Sequence, residues 1–336
     1  MGLRVNEPGL LTTIQDGGRM VGIAAGFSPS GVMDRQAAQL ANLLTGHSTN
    51  QPVLEYSILG PTITFTAQTV IALTGGRVAA KLNGVVVAQN QALVVHRNDQ
   101  LVIGPLLSGR YGYLAVANVL KIPKVLESYA TSLRYQLGGF KGRALRAGDF
   151  IATREPAPTV TGIAQRKISL PAADESQQTQ LIRVVPGPQF EQFEQPATAL
   201  FVSQTYTVSK DADRMGIRLS GVALSVDNVP EMLSEATVAG GIQVPKSGQP
   251  IVLMADRQTT GGYPVIAVVA TVDLPKLVQI VPGHEIQFEW ITLAQSQQLL
   301  REQSEEMVAL QQRFSHLKPD TTRRISTKIR QLFETN

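Results

Sequence analysis

Four short stretches of this sequence gather the residue types that act on small polar molecules. Thr12-Thr13-Ile14-Gln15-Asp16-Gly17-Gly18-Arg19 and Ser28-Pro29-Ser30-Gly31-Val32-Met33-Asp34-Arg35 lie near the start. Asp213-Arg214-Met215-Gly216-Ile217-Arg218 and Asp256-Arg257-Gln258-Thr259-Thr260-Gly261-Gly262-Tyr263-Pro264 lie in the second half. Each sets a carboxylate near a guanidinium, and their glycines allow close backbone approach to a ligand. The last adds an amide, hydroxyls and a tyrosine, a set able to hold an amide or ureido group at both its carbonyl and its N–H. The same composition also builds polar turns between strands, and Asp–Arg pairs often only bridge loops. Ser30 and Asp34 precede a helical pattern, so they either bind a polar substrate beside the free N–H groups of a helix start or simply cap that helix.

Other catalytic signatures fail. Gly241-Ile242-Gln243-Val244-Pro245-Lys246-Ser247 places Pro245 where a phosphate loop needs glycine, so no Walker-type ATP site is expected. Ser28 is followed two positions later by Ser30 rather than glycine, which is not a nucleophile elbow. His47, His96, His284 and His316 are scattered without metal-ligand spacing, so no metal site is expected. With no cysteine among 336 residues, disulfides, thiolate metal sites and a cysteine nucleophile are excluded, and a reducing cytoplasm fits best.

Composition bounds the rest. Hydrophobic residues make up 43% and charged residues 17%, as in a soluble globular protein. The formal charge of +4 is too small to imply nucleic acid. No run approaches the ~18 apolar residues of a membrane span, and Glu7-Pro8 precede any long apolar stretch, unlike a signal peptide.

The positioning elements read as mainly β. From Pro61 to Val119 short Val/Ile/Thr-rich strands alternate with turns, and Asn83-Gly84 supplies the positive-φ pair of a tight hairpin. A second turn, Arg97-Asn98-Asp99, separates two further strands. Ala37, Leu40, Ala41 and Leu44 recur at helical spacing and predict a helix over 34–45. We therefore expect an N-terminal β lobe at 1–155, a linker or long surface loop at 156–180, a second β lobe at 181–292, and a helical tail at 293–336. Leu181-Ile182-Arg183-Val184-Val185-Pro186-Gly187 echoes Leu3-Arg4-Val5-Asn6-Glu7-Pro8-Gly9, a faint sign of duplication. In the tail, Leu300, Met307, Leu310 and Phe314 form an apolar stripe; a second basic amphipathic segment carries Ile325, Ile329, Leu332 and Phe333, suited to docking on this protein or a neighbour, or to a membrane surface.

The four stretches, together with Ala41-Asn42, Leu54-Glu55, Gly60-Pro61, Arg218-Leu219 and Gly241-Ile242-Gln243-Val244-Pro245, resemble in order the biotin-dependent carboxyltransferase family that includes allophanate hydrolase subunit 2, the C subunit of 5-oxoprolinase and the antagonist of KipI (KipA). That resemblance implies two cyclophilin-like β-barrel lobes around a cleft. It implies Asp16, Asp34, Asp256, Arg19 and Arg214 as catalytic residues. Ser30, Gly31, Met33, Asn42, Glu55, Gln243, Pro245, Gln258, Thr259, Thr260, Gly261, Gly262 and Tyr263 would contact substrate. The implied activity is ATP-dependent opening of 5-oxo-L-proline to L-glutamate with a KipI-type B subunit and a LamB/YcsF-type A subunit. The alternatives are carboxyl transfer to urea and non-catalytic binding of KipI. The resemblance brings biotin with it, but this sequence has no Met-Lys-Met attachment site; ATP would be used by the complex rather than through a phosphate loop here. Val119-Leu120-Lys121-Ile122-Pro123 also lacks the Gly-Gly expected there.

Overall fold

The computed structural model describes residues 1–154, 159–169, 179–230 and 232–318. Strands in the first lobe form two sheets. One runs Phe150–Ala152, Gly2–Glu7, Thr62–Phe65, Gln100–Val102, Lys81–Leu82 and Val85–Val86; the other runs Leu11–Gln15, Val53–Ser57, Leu106–Val116, Thr69–Val78 and Ala92–Val95. Side chains on a strand alternate between faces, and this alternation sorts the second sheet. Leu54, Tyr56, Leu114 and Val116 enter the core shared with Leu3, Val5, Ile63 and Phe65 of the first sheet. Val53, Tyr111, Tyr113 and Ala115 face the opposite way, into a second core shared with the other lobe. Both faces are thus covered, and Glu55 is carried into the interior with them, 3% exposed.

The second lobe is a closed barrel of seven strands in the order Thr179–Pro186, Val265–Val269, Gly241–Gln243, Ile251–Leu253, Gly216–Ser220, Thr205–Val208 and Glu285–Trp290. Its first and last strands pair in parallel, from Thr179 against Glu285 to Val184 against Trp290. Stacked Phe201 and Phe288, with ring centroids 4.6 Å apart, fill its interior beside Tyr206. The mainly β expectation holds, with barrel closure in this lobe.

Among the described residues four α-helices complete the fold: α1 (Arg35–Leu44), α2 (Gln195–Ser203), α3 (Leu274–Val278) and α4 (Leu293–Ser315). Asp34 caps α1 by accepting the Ala37 N–H at 2.9 Å, and Gly46 leaves the helix with a φ of +84°, which suits glycine. Met33, Ala37, Ala38 and Ala41 pack against barrel residues such as Ile217 and Met254, so α1 lies in the seam between the lobes. The Asn83-Gly84 hairpin forms as expected, both residues at positive φ. The turn at Arg97-Asn98-Asp99 separates two strands as expected, and it passes the chain from one sheet to the other.

Helix α4 begins with a capping box between Thr292 and Gln295 and docks Met307, Leu310 and Phe314 on Leu43, Leu44 and Ala72; Leu300 of the expected stripe is exposed. The expected linker differs from a surface loop where it is described. Val160 and Arg166 are buried, and the Arg166 guanidinium donates to Leu43 O at 2.8 Å and Phe314 O at 3.0 Å. Those carbonyls lie in the last turns of α1 and α4, where no i+4 N–H reaches them; Leu43 O also accepts the Gly46 N–H at 3.1 Å, and the buried cation gives both a charged donor. Thr179 and Gln180 belong to the first barrel strand. Most of the polar run 174–180 and the basic segment around Ile325 and Phe333 lie outside the described residues.

Candidate functional site

Three of the four polar stretches meet at the seam through one guanidinium. Arg214, which precedes the barrel strand Gly216–Ser220, donates through Nε to Asp256 Oδ2 at 2.8 Å and through Nη2 to Gly31 O at 2.6 Å. Its Nη1 is paired with Glu55 Oε1. Burial alone would lower the pKa of Arg214, but Asp256 and Glu55 outweigh that effect and raise it above the ordinary guanidinium value. One side chain therefore fixes the second, third and fourth stretches and a strand of the first lobe in a single charge network.

Glu55 carries the network onward. Its Oε2 accepts the Met33 N–H at 2.7 Å and the Tyr113 hydroxyl at 2.9 Å. The Tyr113 oxygen accepts the Asp34 N–H at 2.7 Å, and Asp34 Oδ2 accepts Gln279 Nε2 at 2.8 Å. Gln279, just past α3, receives the N–H groups of Arg110 at 2.9 Å and Tyr111 at 3.1 Å on its Oε1. Burial pushes the Asp34 carboxyl up to about 6, although the Ala37 N–H and the Gln279 amide pull the other way.

The first stretch is anchored separately. Asp16 accepts the Gly18 N–H at 2.9 Å, the Ser128 hydroxyl at 2.6 Å and the Tyr129 N–H at 2.7 Å, so its oxygens hold loops and are not free to act on a ligand. Arg19 is 1% exposed and pairs through Nη2 with Ala130 O, while Nε and Nη1 have no hydrogen-bond partner. Burial lowers its pKa, against the raising effect of Asp16 and Asp256. Gly31 has a φ of +91°, and a Cβ there would lie 2.7 Å from Gly18 N. Only glycine permits that approach of the first stretch to the second.

A cavity of about 200 Å³ lies beside this network, on the outer face of the barrel. Gly216, Arg218, Ile251, Leu253 and Gln243 form its barrel side, and Thr237, Gln258, Thr260, Gly261, Gly262 and Tyr263 close over it with Asp213 and Met215. The short ribbon pairing Glu235–Ala236 with Thr260–Gly261 shapes that cover. A Cβ on Gly261 would come within 2.5 Å of Gln243 Nε2, so the glycine leaves the Gln243 amide in its place. The opening is smaller than a drug-sized pocket and suits a compact ligand.

Of the expected substrate contacts, Gln243, Gln258, Thr260, Gly261, Gly262 and Tyr263 line this cavity. The others are elsewhere, for physical reasons. Met33 is an apolar core residue whose N–H serves Glu55; Glu55 and Gly31 are tied to Arg214. Ser30 is buried with a φ of +54° and an unpartnered hydroxyl. Asn42 donates to Gln51 O at 2.9 Å and pins the loop after α1. Pro245 O accepts the Gly248 N–H at 2.8 Å in a turn, and Thr259 O accepts the Thr237 N–H at 3.0 Å. Asp256, whose side chain is 16% exposed, lies at the edge of the network, whereas Asp34 is closed off within it.

The sequence reading missed Tyr113, Gln279 and Ser128, and gave Arg218 no role. A carboxylate among Val53, Leu54 and Tyr56 was a usable sign that Glu55 has a buried partner. Gln279 carries no local signal, because its place is set by the packing of α3 at the seam. Among the described residues no group of three His, Asp or Glu is placed to hold a metal ion, and no helix is long and apolar enough to cross a membrane.

Residues 25–290 match the family described as carboxyltransferase domain, subdomain A and B. The chain is 36% identical over 291 residues to the C subunit of 5-oxoprolinase from Haemophilus influenzae, covering 86% of this chain and 91% of that protein. It is 34% identical over 297 residues to the Escherichia coli C subunit of the same enzyme, covering 88% of this chain and 93% of the relative. Among solved structures, the K. lactis urea amidolyase matches with a TM-score of 0.82 at 28% identity over 92% of this chain, a match that spans 20% of that much longer protein.

Proposed function

The chain belongs to the carboxyltransferase domain, subdomain A and B, family, and from that premise we propose that it is the C subunit of a 5-oxoprolinase, a hydrolase built from several subunits. Its partners in this reading are a KipI-type B subunit and a LamB/YcsF-type A subunit in the cytoplasm, and the complex opens 5-oxo-L-proline to L-glutamate with ATP. The observation that carries the reading is the cavity of about 200 Å³ beside the Arg214 network, lined by amide, hydroxyl and guanidinium groups at Gln243, Gln258, Thr260 and Arg218.

A lactam resists hydrolysis because its carbonyl is resonance-stabilised and its nitrogen leaves poorly. ATP consumed by the complex would activate the amide oxygen. In this chain Gln243 and Thr260 hold the ring amide beside the backbone of Gly261 and Gly262. Arg214 fixes Asp256 at the edge of the buried network, the partly exposed carboxylate we assign to orienting water or moving its proton. Asp16, Asp34 and Glu55 hold the loops in register. The test is reconstitution with both partner subunits: ATP-dependent glutamate release should appear and should fall at least tenfold in Asp256→Asn. A complex that assembles but leaves 5-oxoproline intact would overturn the assignment.

The urea amidolyase match favours a second reading, carboxyl transfer to urea. The cavity bordered by Gly261 and Gln243 suits a cyclic ureido group as well as a lactam, so Gln243, Thr260 and the glycine backbone would hold the head of carboxybiotin, which when bound would supply a carboxyl group. Urea-dependent consumption of carboxybiotin without glutamate release would select this reading.

A further inference from the structure

Arg218 occupies an unusual position for a barrel residue. Its neighbours in the strand, Ile217 and Leu219, point into the barrel core and are buried, so alternation sends Arg218 outward, where it borders the cavity next to Ile251 and Gly216. The side chain is exposed, and among the described residues it forms no ion pair. The acidic group that shares the cavity wall, Asp213, is committed to its own turn: its Oδ1 accepts the N–H groups of Met215 at 2.7 Å and Gly216 at 3.0 Å. The cavity thus has neutral amide-binding groups at Gln243 and Thr260 and, among the described residues, one guanidinium with no carboxylate paired to it. A guanidinium presents paired donors that match a carboxylate.

We propose that Arg218 anchors a carboxylate of the ligand, making the cavity selective for amides that carry one. This deepens the amide-binding reading of the cavity and rests on it. The proposal separates 5-oxo-L-proline, which bears a carboxylate, from neutral urea, and it extends to the N-carboxylated urea that carboxyl transfer would form. Arg218 is a specificity residue here: it acts on a part of the ligand remote from the amide bond that reacts.

The experiment is equilibrium binding to the full chain by calorimetry, using two matched pairs, 5-oxo-L-proline with 2-pyrrolidinone and N-carboxyurea with urea. In each pair the molecules differ by the carboxylate. The acid should bind at least tenfold more tightly in at least one pair, and Arg218→Gln should remove that preference by weakening the acid about 10–100-fold while leaving the neutral partner unchanged. Arg218→Lys should restore part of it, and Arg301→Gln on α4 should change nothing. Equal binding of acid and neutral partner in both pairs, no binding of either acid, or full preference retained in Arg218→Gln would each overturn the proposal. Glutamate release by the reconstituted complex is scored separately, so a carboxylate preference without turnover sinks the 5-oxoprolinase reading and leaves the anchor standing, and turnover unaffected by Arg218→Gln does the reverse.

Discussion

Gln279 of the barrel lobe and Asp34 of the first lobe meet across the seam, Nε2 to Oδ2 at 2.8 Å. Because the Gln279 carbonyl oxygen is already occupied by the N–H groups of Arg110 and Tyr111, its amide cannot turn over and must donate to Asp34. A hydrogen-bond acceptor at this position is therefore dictated by the opposite lobe, and the acid that supplies it is one whose ionised form burial disfavours.

That conflict predicts a pH signature. Asp34 has its pKa raised from 3.8 to about 6. Below about 3.8 both folded and unfolded states are protonated and there is no penalty; as the pH rises to about 6 the folded state resists ionisation, and above about 6 the cost is complete. A rise from 3.8 to about 6 corresponds to about 3 kcal/mol. Asp34→Asn, which keeps a helix cap, should thus gain on the wild type by up to about 3 kcal/mol between about pH 4 and pH 7. Urea unfolding across that range measures the difference; a constant offset would refute the assignment.

Removing Arg214 should cost more than its one side chain suggests. Arg214→Met leaves Glu55, 3% exposed, and Asp256 without their shared cation, at about 3–5 kcal/mol. Adding Glu55→Gln should recover at least about 1 kcal/mol, because the stranded charge is then gone. Additive losses in urea denaturation would mean that the two residues are not coupled.

Gly261→Ala should separate binding from folding. The new Cβ would press on Gln243 Nε2, the far end of a flexible side chain, so stability should change by less than about 1 kcal/mol. Displacing that amide should raise KM for the ring substrate about tenfold, a loss typical of one misplaced hydrogen-bonding group. An unchanged KM would remove Gln243 from the binding groups.

Helix α4 depends on Phe314, 2% exposed. Phe314→Ala should undock the C-terminal half of α4 and let it unfold, so that trypsin cleaves at the already exposed Arg313, with both lobes remaining protected. Cleavage in α4 no faster than in the wild type would show that the Arg166 contacts suffice to hold it.

Local chemistry made much of this legible in the sequence. Asn83-Gly84 specified its hairpin through backbone conformation alone, and Ala37, Leu40, Ala41 and Leu44 marked α1 because its buried face is continuous. The polar stretches did announce a shared location, since glycines at 18 and 31 and the Asp256–Arg214 pair bring them together. What sequence could not separate was the buried network from the cavity: Asp16 and Gln243 look equally suited to chemistry, yet one has its oxygens filled by backbone and hydroxyl donors and the other borders open space. That distinction depends on Ser128, Tyr113 and Gln279, partners far away in the chain.

The parallel pairing of Thr179–Pro186 with Glu285–Trp290 has a consequence for biosynthesis. The staves that seal the second lobe are its earliest and latest to leave the ribosome, so the lobe cannot close until residue 290 has emerged, and α4 can latch onto α1 only after that. Until then two hydrogen-bonding edges stay open to other chains. Expression at lower temperature, or alongside a holdase chaperone, should accordingly raise the yield of folded protein more than any change to its surface charge.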